Sequence, residues 1–135
     1  PPPPPLVRRA LLLIERTSPD KLSVTALAAK LGCAREHLSR VFGPAMGMAP
    51  GAFIQRHKLE RARHLLEKTE FSLGDIAFHC GFADTSHFHR AFRAAFSETP
   101  TFFRKREFGR TRAIRAHLGP GLKPPLTRSH QKPNS

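Results

Sequence analysis

The chain has 135 residues, of which 23 are Lys or Arg and 10 are Asp or Glu, so its formal net charge is +13. A surplus of this size implies a polyanionic partner, either nucleic acid or an anionic membrane surface. No apolar run approaches the roughly 20 residues that span a bilayer, and the leading prolines do not resemble a signal peptide. The two cysteines, Cys33 and Cys80, lie in apolar helical stretches, which suits a reducing cytoplasm better than a disulfide scaffold.

Composition divides the chain into three segments. Residues 1–5 are all proline, which predicts an extended linker. Residues 109–135 are rich in Arg, Lys, Pro, Gly and Ser and poor in bulky apolar residues, which predicts a basic, disordered tail. The remaining segment, 6–108, has a normal size for a domain with a single core.

Apolar residues in this central segment recur at helical spacing, and the chain contains neither Tyr nor Trp. We therefore expect an all-α fold of about seven helices. The predicted helices cover residues 6–16, 24–31, 34–42, 51–68, 72–81, 84–96 and 99–107. Ser23 and Ser72 are predicted to cap the helices that follow them, and Gly43-Pro44 is predicted to end the third helix.

An internal repeat relates residues 23–32 to residues 72–81. Both copies begin with a serine, continue with a bulky residue followed by alanine, and end with a glycine that allows positive φ. When one extra residue is allowed after the second glycine, Leu38, Arg40 and Phe42 fall on Phe88, Arg90 and Phe92. Each copy is then a short helix, a glycine turn and a second helix, which is the helix-turn-helix unit. The two units cover about 23–43 and 72–96.

The second copy and the segment after it follow a longer pattern. Its residues are Ile76-Ala77, Gly81-Phe82, Ser86, Phe88, Arg90, Phe92, Thr99-Pro100, Phe103 and Arg104. This pattern resembles the signature of the AraC/XylS family of bacterial transcription regulators, and the resemblance covers about residues 22–106. It implies two helix-turn-helix units joined by the predicted helix 51–68, whose 18 residues span about 27 Å. Successive major-groove segments on one DNA face lie about 34 Å apart, so one chain is expected to read two of them.

Three positions depart from the family pattern. Ala34 stands where the family commonly has a serine cap, and Ser97 stands where it often has glycine. Gly43-Pro44 interrupts a position where a basic helical residue is more usual. We expect these changes to affect local stability more than the fold.

The resemblance also implies which side chains contact DNA. They are Glu36, Ser39 and Arg40 in the first recognition helix, and Thr85, Ser86, His87 and Arg90 in the second. An arginine can bind guanine O6 and N7 as a fork, and a glutamate can accept from cytosine N4. The alternative for each arginine is a phosphate contact or a salt bridge, and the alternative for Glu36 and Ser39 is a solvated face.

Other basic residues are expected to attract phosphates and to make the affinity fall with salt. They are Arg61, Arg63, Lys105 and Arg106, together with Arg110, Arg112 and Arg115 near the carboxyl end. In contrast, Leu38, Phe42, Phe88 and Phe92 are expected to be core residues and not platforms for base stacking.

Eight histidines raise the possibility of a metal site, but no pair among His79, Cys80, His87 and His89 has the spacing of structural zinc ligands. The sequence also lacks a glycine-rich phosphate loop, a nucleophile elbow and paired carboxylates in an apolar setting. We therefore expect no catalytic site, metal or cofactor.

These features predict a cytoplasmic, nucleoid-associated regulator that binds double-stranded promoter DNA sequence-specifically and recruits or obstructs RNA polymerase. The resemblance further implies an effector or dimerisation domain on the amino-terminal side, with residues 1–5 as the end of the linker. One alternative is a non-specific or architectural nucleic-acid-binding protein that depends on charge alone. A helical protein–protein adaptor is another, although the charge of +13 argues against it.

Overall fold

The computed structural model describes residues 1–118. Within them the chain forms seven α-helices and no strand, which confirms the predicted all-α class. The helices are α1 (Pro5–Arg16), α2 (Val24–Leu31), α3 (Arg35–Met46), α4 (Pro50–Lys68), α5 (Leu73–His79), α6 (Thr85–Phe96) and α7 (Pro100–Leu118). A short 3-10 helix, Pro19–Lys21, lies between α1 and α2.

The described residues divide into two compact units on either side of a boundary between Lys58 and Leu59, which confirms the two subdomains joined by a long helix that the resemblance implied. Each unit has its own core, so the single core expected from the length of the segment was wrong. The boundary falls within α4, whose 19 residues extend for about 28 Å. Ile54, in the first part of α4, is buried in the core of the first unit, whereas Leu59 and Ala62 are buried in that of the second. The apolar residues of this one helix are therefore shared between two cores, which the sequence pattern alone did not separate.

In the first unit, α1 packs against both α2 and α3. The buried residues of this core are Val7, Ala10, Ile14, Leu22, Leu27, Ala28, Leu31, Leu38, Phe42 and Ile54. The Phe42 ring meets the Phe53 ring edge to face, with centroids 5.4 Å apart. The helix-turn-helix formed by α2 and α3 thus rests on α1, which lies outside the repeated segment.

Phenylalanines dominate the core of the second unit. The Phe88 ring lies 5.2 Å from the Phe82 ring and 5.8 Å from the Phe92 ring, measured between centroids. Phe103 of α7 lies 5.9 Å from Phe92, so α7 closes this core. Phe88 and Phe92 are fully buried, as are Leu38 and Phe42 in the first unit, which confirms that these residues are core. Aromatic pairs in such tilted and edge-to-face arrangements stabilise a core beyond the area they bury.

The predicted caps and turns of the repeat are confirmed. Ser23 Oγ accepts a hydrogen bond from the Ala26 amide at 3.0 Å, and Ser72 Oγ accepts from the Asp75 amide at 3.0 Å. Gly32, with φ of 73°, ends α2 in the left-handed region. Gly81 occupies the same region in the second copy, with φ of 83°. Both helix-turn-helix turns therefore depend on a residue without a Cβ atom.

The predicted end of α3 at Phe42 was wrong, because the helix continues through Pro44 to Met46. A proline inside a helix removes one amide donor, but it does not necessarily end the helix. Here the end is at Gly47, whose φ is 79° and whose amide donates to the Gly43 carbonyl at 2.8 Å.

The last helix is longer than predicted, since α7 continues past Glu107 to Leu118. Residues 109–118, predicted to belong to a disordered tail, are therefore helical. Glu107 is 8% exposed and accepts hydrogen bonds from Arg106 at 3.2 Å and from Arg110 at 3.1 Å. The bond between Arg110 and Glu107 spans Gly109 and supports the helix where glycine disfavours it by about 1 kcal/mol relative to alanine. Residues 119–135 of the predicted tail lie outside the described residues.

Candidate nucleic-acid interface

The first recognition helix, α3, presents one polar face. Leu38 and Phe42 are fully buried, whereas Glu36, Ser39 and Arg40 are exposed. Residues three and four positions apart lie on the same side of a helix, so these three side chains form one surface. Within residues 1–118, none of the three makes a side-chain hydrogen bond or ion pair. The structure therefore brings together the predicted contacts of α3 and leaves them available to a partner.

The second recognition helix, α6, has a similar face and a side-chain cap at its start. Thr85, Ser86 and Arg90 are exposed, and their side chains have no hydrogen-bonding partner in the part of the chain that the structure describes. His87 is half-buried, and its ring meets the edge of the Phe82 ring with centroids 5.4 Å apart. Its imidazole is thus held against the core, unlike the other predicted contacts of α6.

The two recognition helices begin differently. Asp84 Oδ1 accepts a hydrogen bond from the His87 amide at 2.7 Å and caps α6. Ala34 occupies the corresponding position before α3 and supplies no side-chain bond. An unfilled cap leaves one more helix amide for water to satisfy, so α3 lacks the stabilisation that a side-chain cap gives α6.

Charge on the two helices is mainly positive. Together α3 and α6 contain four arginines, three histidines and a single carboxylate, Glu36. The arginines at the two repeated positions, Arg40 and Arg90, are both exposed. Exposed arginine side chains suit both the phosphates and the guanine edges of a major groove.

The four predicted phosphate contacts fall into two groups. Arg61 and Lys105 are exposed and have no ion-pair partner among residues 1–118. Arg63, by contrast, donates to Glu60 Oε1 at 2.8 Å and lies 4.5 Å from the centroid of the Phe96 ring. Arg106 donates to Glu98 at 2.7 Å and to Glu107 at 3.2 Å. The first two cations are uncommitted, whereas the other two are already paired.

The arginine that completes the family pattern, Arg104, has a structural role that the sequence did not reveal. Its guanidinium donates to the carbonyls of Leu66, Thr69 and Phe71, at 3.2, 3.0 and 2.5 Å. Burial lowers the pKa of Arg104 from its usual value, and the charge of Glu70 opposes this shift. Arg104 therefore supplies hydrogen-bond donors to carbonyls at the carboxyl end of α4 and in the connection to α5. This connection leads into the second helix-turn-helix.

Among the described residues, no three His, Cys, Asp or Glu side chains are grouped so that they could hold a metal ion. None of the helices that the structure describes combines the length and apolar character that crossing a membrane requires.

Comparisons with known proteins agree with this geometry. The profile of a helix-turn-helix domain family matches residues 27–106. The chain is 34% identical over 114 residues to the probable bifunctional transcriptional activator/DNA repair enzyme AlkA of Mycobacterium tuberculosis CDC 1551, which covers 84% of this chain and 23% of that protein. It is 36% identical over 86 residues to the transcriptional activator RhaS of Escherichia coli O157:H7, covering 64% of this chain and 31% of that protein. The chain thus spans less than a third of either relative.

Solved structures show the same fold. An AraC-type DNA-binding transcriptional regulator from Chromobacterium violaceum superposes with a TM-score of 0.70 at 32% identity, over 76% of this chain and 92% of that one. The DNA-binding domain of the global transcriptional factor AdpA, determined in complex with a target DNA, superposes with a TM-score of 0.68 at 26% identity. That match covers 83% of this chain and 96% of the AdpA chain.

Proposed function

Since the chain belongs to the AraC-type helix-turn-helix family of DNA-binding transcription regulators, we propose that it reads two successive major-groove segments of a promoter, one with α3 and one with α6. The observation that carries this proposal is the equivalence of Arg40 and Arg90. Each occupies the same position of the repeat, is exposed, and follows a buried residue two positions earlier, Leu38 or Phe88. Two equivalent reading positions in one chain require two DNA segments.

Each predicted contact residue has a proposed role that follows from the chemistry of its side chain. Arg40 and Arg90 bind guanine through paired donors, a contact that contributes about 1–3 kcal/mol of discrimination. Thr85 and Ser86 donate to or accept from base edges or phosphates near the start of α6, where a recognition helix meets the base pairs. His87, held by Phe82, supplies a contact of fixed position. Arg61 and Lys105, which have no ion-pair partner in the described part of the chain, pair with phosphates. The cations of Arg63 and Arg106 contribute less because carboxylates already bind them.

We extend this proposal to the other domains and the partners of the whole protein. The chain spans 23% of AlkA and 31% of RhaS, so we assign it the DNA-binding part of a larger regulator that has an effector or dimerisation domain on its amino-terminal side. RNA polymerase is the proposed target of regulation, in the cytoplasm at the nucleoid. The words "DNA repair enzyme" describe AlkA, of which this match covers under a quarter, and we propose that the present chain acts by binding alone.

Competition binding at fixed salt tests the proposal against the alternative of charge-driven binding. A duplex selected from a random pool is compared with a scrambled duplex of the same length and composition. Sequence-specific recognition predicts an affinity ratio of about 10³ or more, the usual lower limit for specific DNA-binding proteins. A ratio near one would leave only the non-specific alternative.

A further inference from the structure

Glu36 is an unusual residue on the surface of α3 and α6 that we propose to face DNA. It is the one carboxylate in α3 and α6, and it is exposed beside Ser39 and Arg40. Asp84, just before α6, is different because it is occupied by the His87 amide. A carboxylate near a phosphate backbone disfavours binding to every DNA sequence through charge repulsion. A contact with a hydrogen-bond donor on the DNA offsets this cost at one base pair.

Glu36 is also free to make such a contact. A glutamate four residues before a cation on a helix commonly forms an ion pair with it. Glu36 and Arg40 have this spacing, yet no ion pair joins them, and neither has another partner within the described range 1–118. Four residues advance a helix by about 6 Å, which corresponds to about two base-pair steps of 3.4 Å. Both side chains therefore reach the same DNA block.

The donors of the major groove restrict what Glu36 accepts. Cytosine presents the N4 amino group and adenine the N6 amino group, whereas guanine and thymine present acceptors at their edges. Adenine places its N7 acceptor beside the amino group, where it opposes the second carboxylate oxygen. Cytosine has no such neighbouring acceptor, and it is the base that suits a carboxylate.

Resting on the proposed function, we infer that Glu36 is a specificity-determining residue that selects cytosine within about two base-pair steps of the guanine bound by Arg40. It also rejects guanine and thymine at that position, because their acceptors face its negative charge. The first DNA block is thereby distinguished from the second, since α6 carries no carboxylate.

A structural role for Glu36 makes a different prediction. Acidic residues in the first turn offset the partial positive charge of a helix amino terminus, and α3 lacks a side-chain cap there. Loss of that effect alters the stability of α3 and the affinity for all duplexes alike. Base preference therefore separates the two roles.

The experiment measures binding of the full chain to duplexes that carry each of the four base pairs, in turn, at every position of the block that Arg40→Ala disturbs. The parent chain is expected to prefer cytosine at one position by about tenfold. Glu36→Gln is expected to shift that preference to adenine, because the amide matches adenine N6 and N7. Glu36→Ala is expected to remove the preference and to bind the thymine duplex more tightly than the parent does.

Glu15→Gln is the matched control, because Glu15 is an exposed residue of α1 and the variant changes the net charge equally. It is expected to change the affinity of all duplexes by the same factor. If both Glu36 variants keep the parent's base preferences and change all affinities uniformly, the inference is overturned and the proposed function stands. If the parent itself shows no base preference in any block, the proposed function fails instead.

Discussion

The His87 amide donates to Asp84 Oδ1 at 2.7 Å, and this bond fixes the first turn of α6. The start of α3 has no equivalent, because Ala34 has an extended backbone, with φ of −76° and ψ of 150°, but no side-chain acceptor. The two recognition helices share a sequence pattern but begin differently. A side-chain hydrogen bond caps the start of α6, whereas the start of α3 has no side-chain cap.

Ala34→Ser is therefore expected to stabilise the chain. A serine at this position can accept from the amide three residues later, which typically contributes about 1 kcal/mol. Urea unfolding followed by circular dichroism measures the effect. Ser72→Ala removes the bond to the Asp75 amide and should shift the midpoint in the opposite direction. An unchanged midpoint for Ala34→Ser would contradict the role assigned to the missing cap.

Arg104→Met is expected to destabilise the second unit by about 2–3 kcal/mol, because three carbonyl groups lose a charged donor. Arg104→Lys keeps the charge but loses the planar fork, so an intermediate loss is expected. Arg93→Met is the matched control, since Arg93 is exposed on α6 and exposed substitutions usually change stability by less than about 0.5 kcal/mol. Thermal and urea unfolding measure all three, and equal stabilities for Arg104→Met and Arg93→Met would refute the capping role.

The salt dependence of DNA binding is expected to distinguish basic residues that have no intramolecular ion pair from those that have one. Arg61→Ala and Lys105→Ala should each reduce the magnitude of the slope of log Kobs against log salt by about 1, since each removes one proposed phosphate contact. Arg63→Ala should change the slope less, because Glu60 already pairs with that guanidinium at 2.8 Å. Titrations of one duplex at several salt concentrations give these slopes. Equal reductions for all three variants would show that the intramolecular ion pair has no influence.

The elements that sequence analysis predicted well are those determined by neighbouring residues. The bounds of α2 were predicted correctly because Ser23 and Gly32 directly flank it. The ends of α3 and α7 were predicted too early, because Pro44 and Gly109 were taken as helix breaks. In the structure α3 ends at Gly47, and α7 continues past Gly109 with the support of the hydrogen bonds to Glu107.

In the candidate site, too, features determined by neighbouring residues were predicted and features determined by tertiary contacts were not. Exposure of Arg40 and Arg90 follows from helical periodicity and the buried residues beside them. The pairing of Arg106 with Glu98, eight residues earlier, and the contacts of Arg104 with α4 depend on tertiary packing. Local spacing therefore predicted that Arg40 and Arg90 are exposed, but it did not show which other cations already form ion pairs.

The most direct test of the two-headed account is a selection from random duplex DNA, followed by binding of Arg40→Ala and Arg90→Ala to variants of the selected site. Recognition by both helices is expected to select a motif of two blocks about one helical turn apart. Each variant should lose discrimination in a different block, by about 1–3 kcal/mol at the affected base pair. If both variants lose affinity equally on every sequence and keep the base preferences of both blocks, these arginines contact phosphates alone. Recognition of two blocks by these arginines would then be wrong.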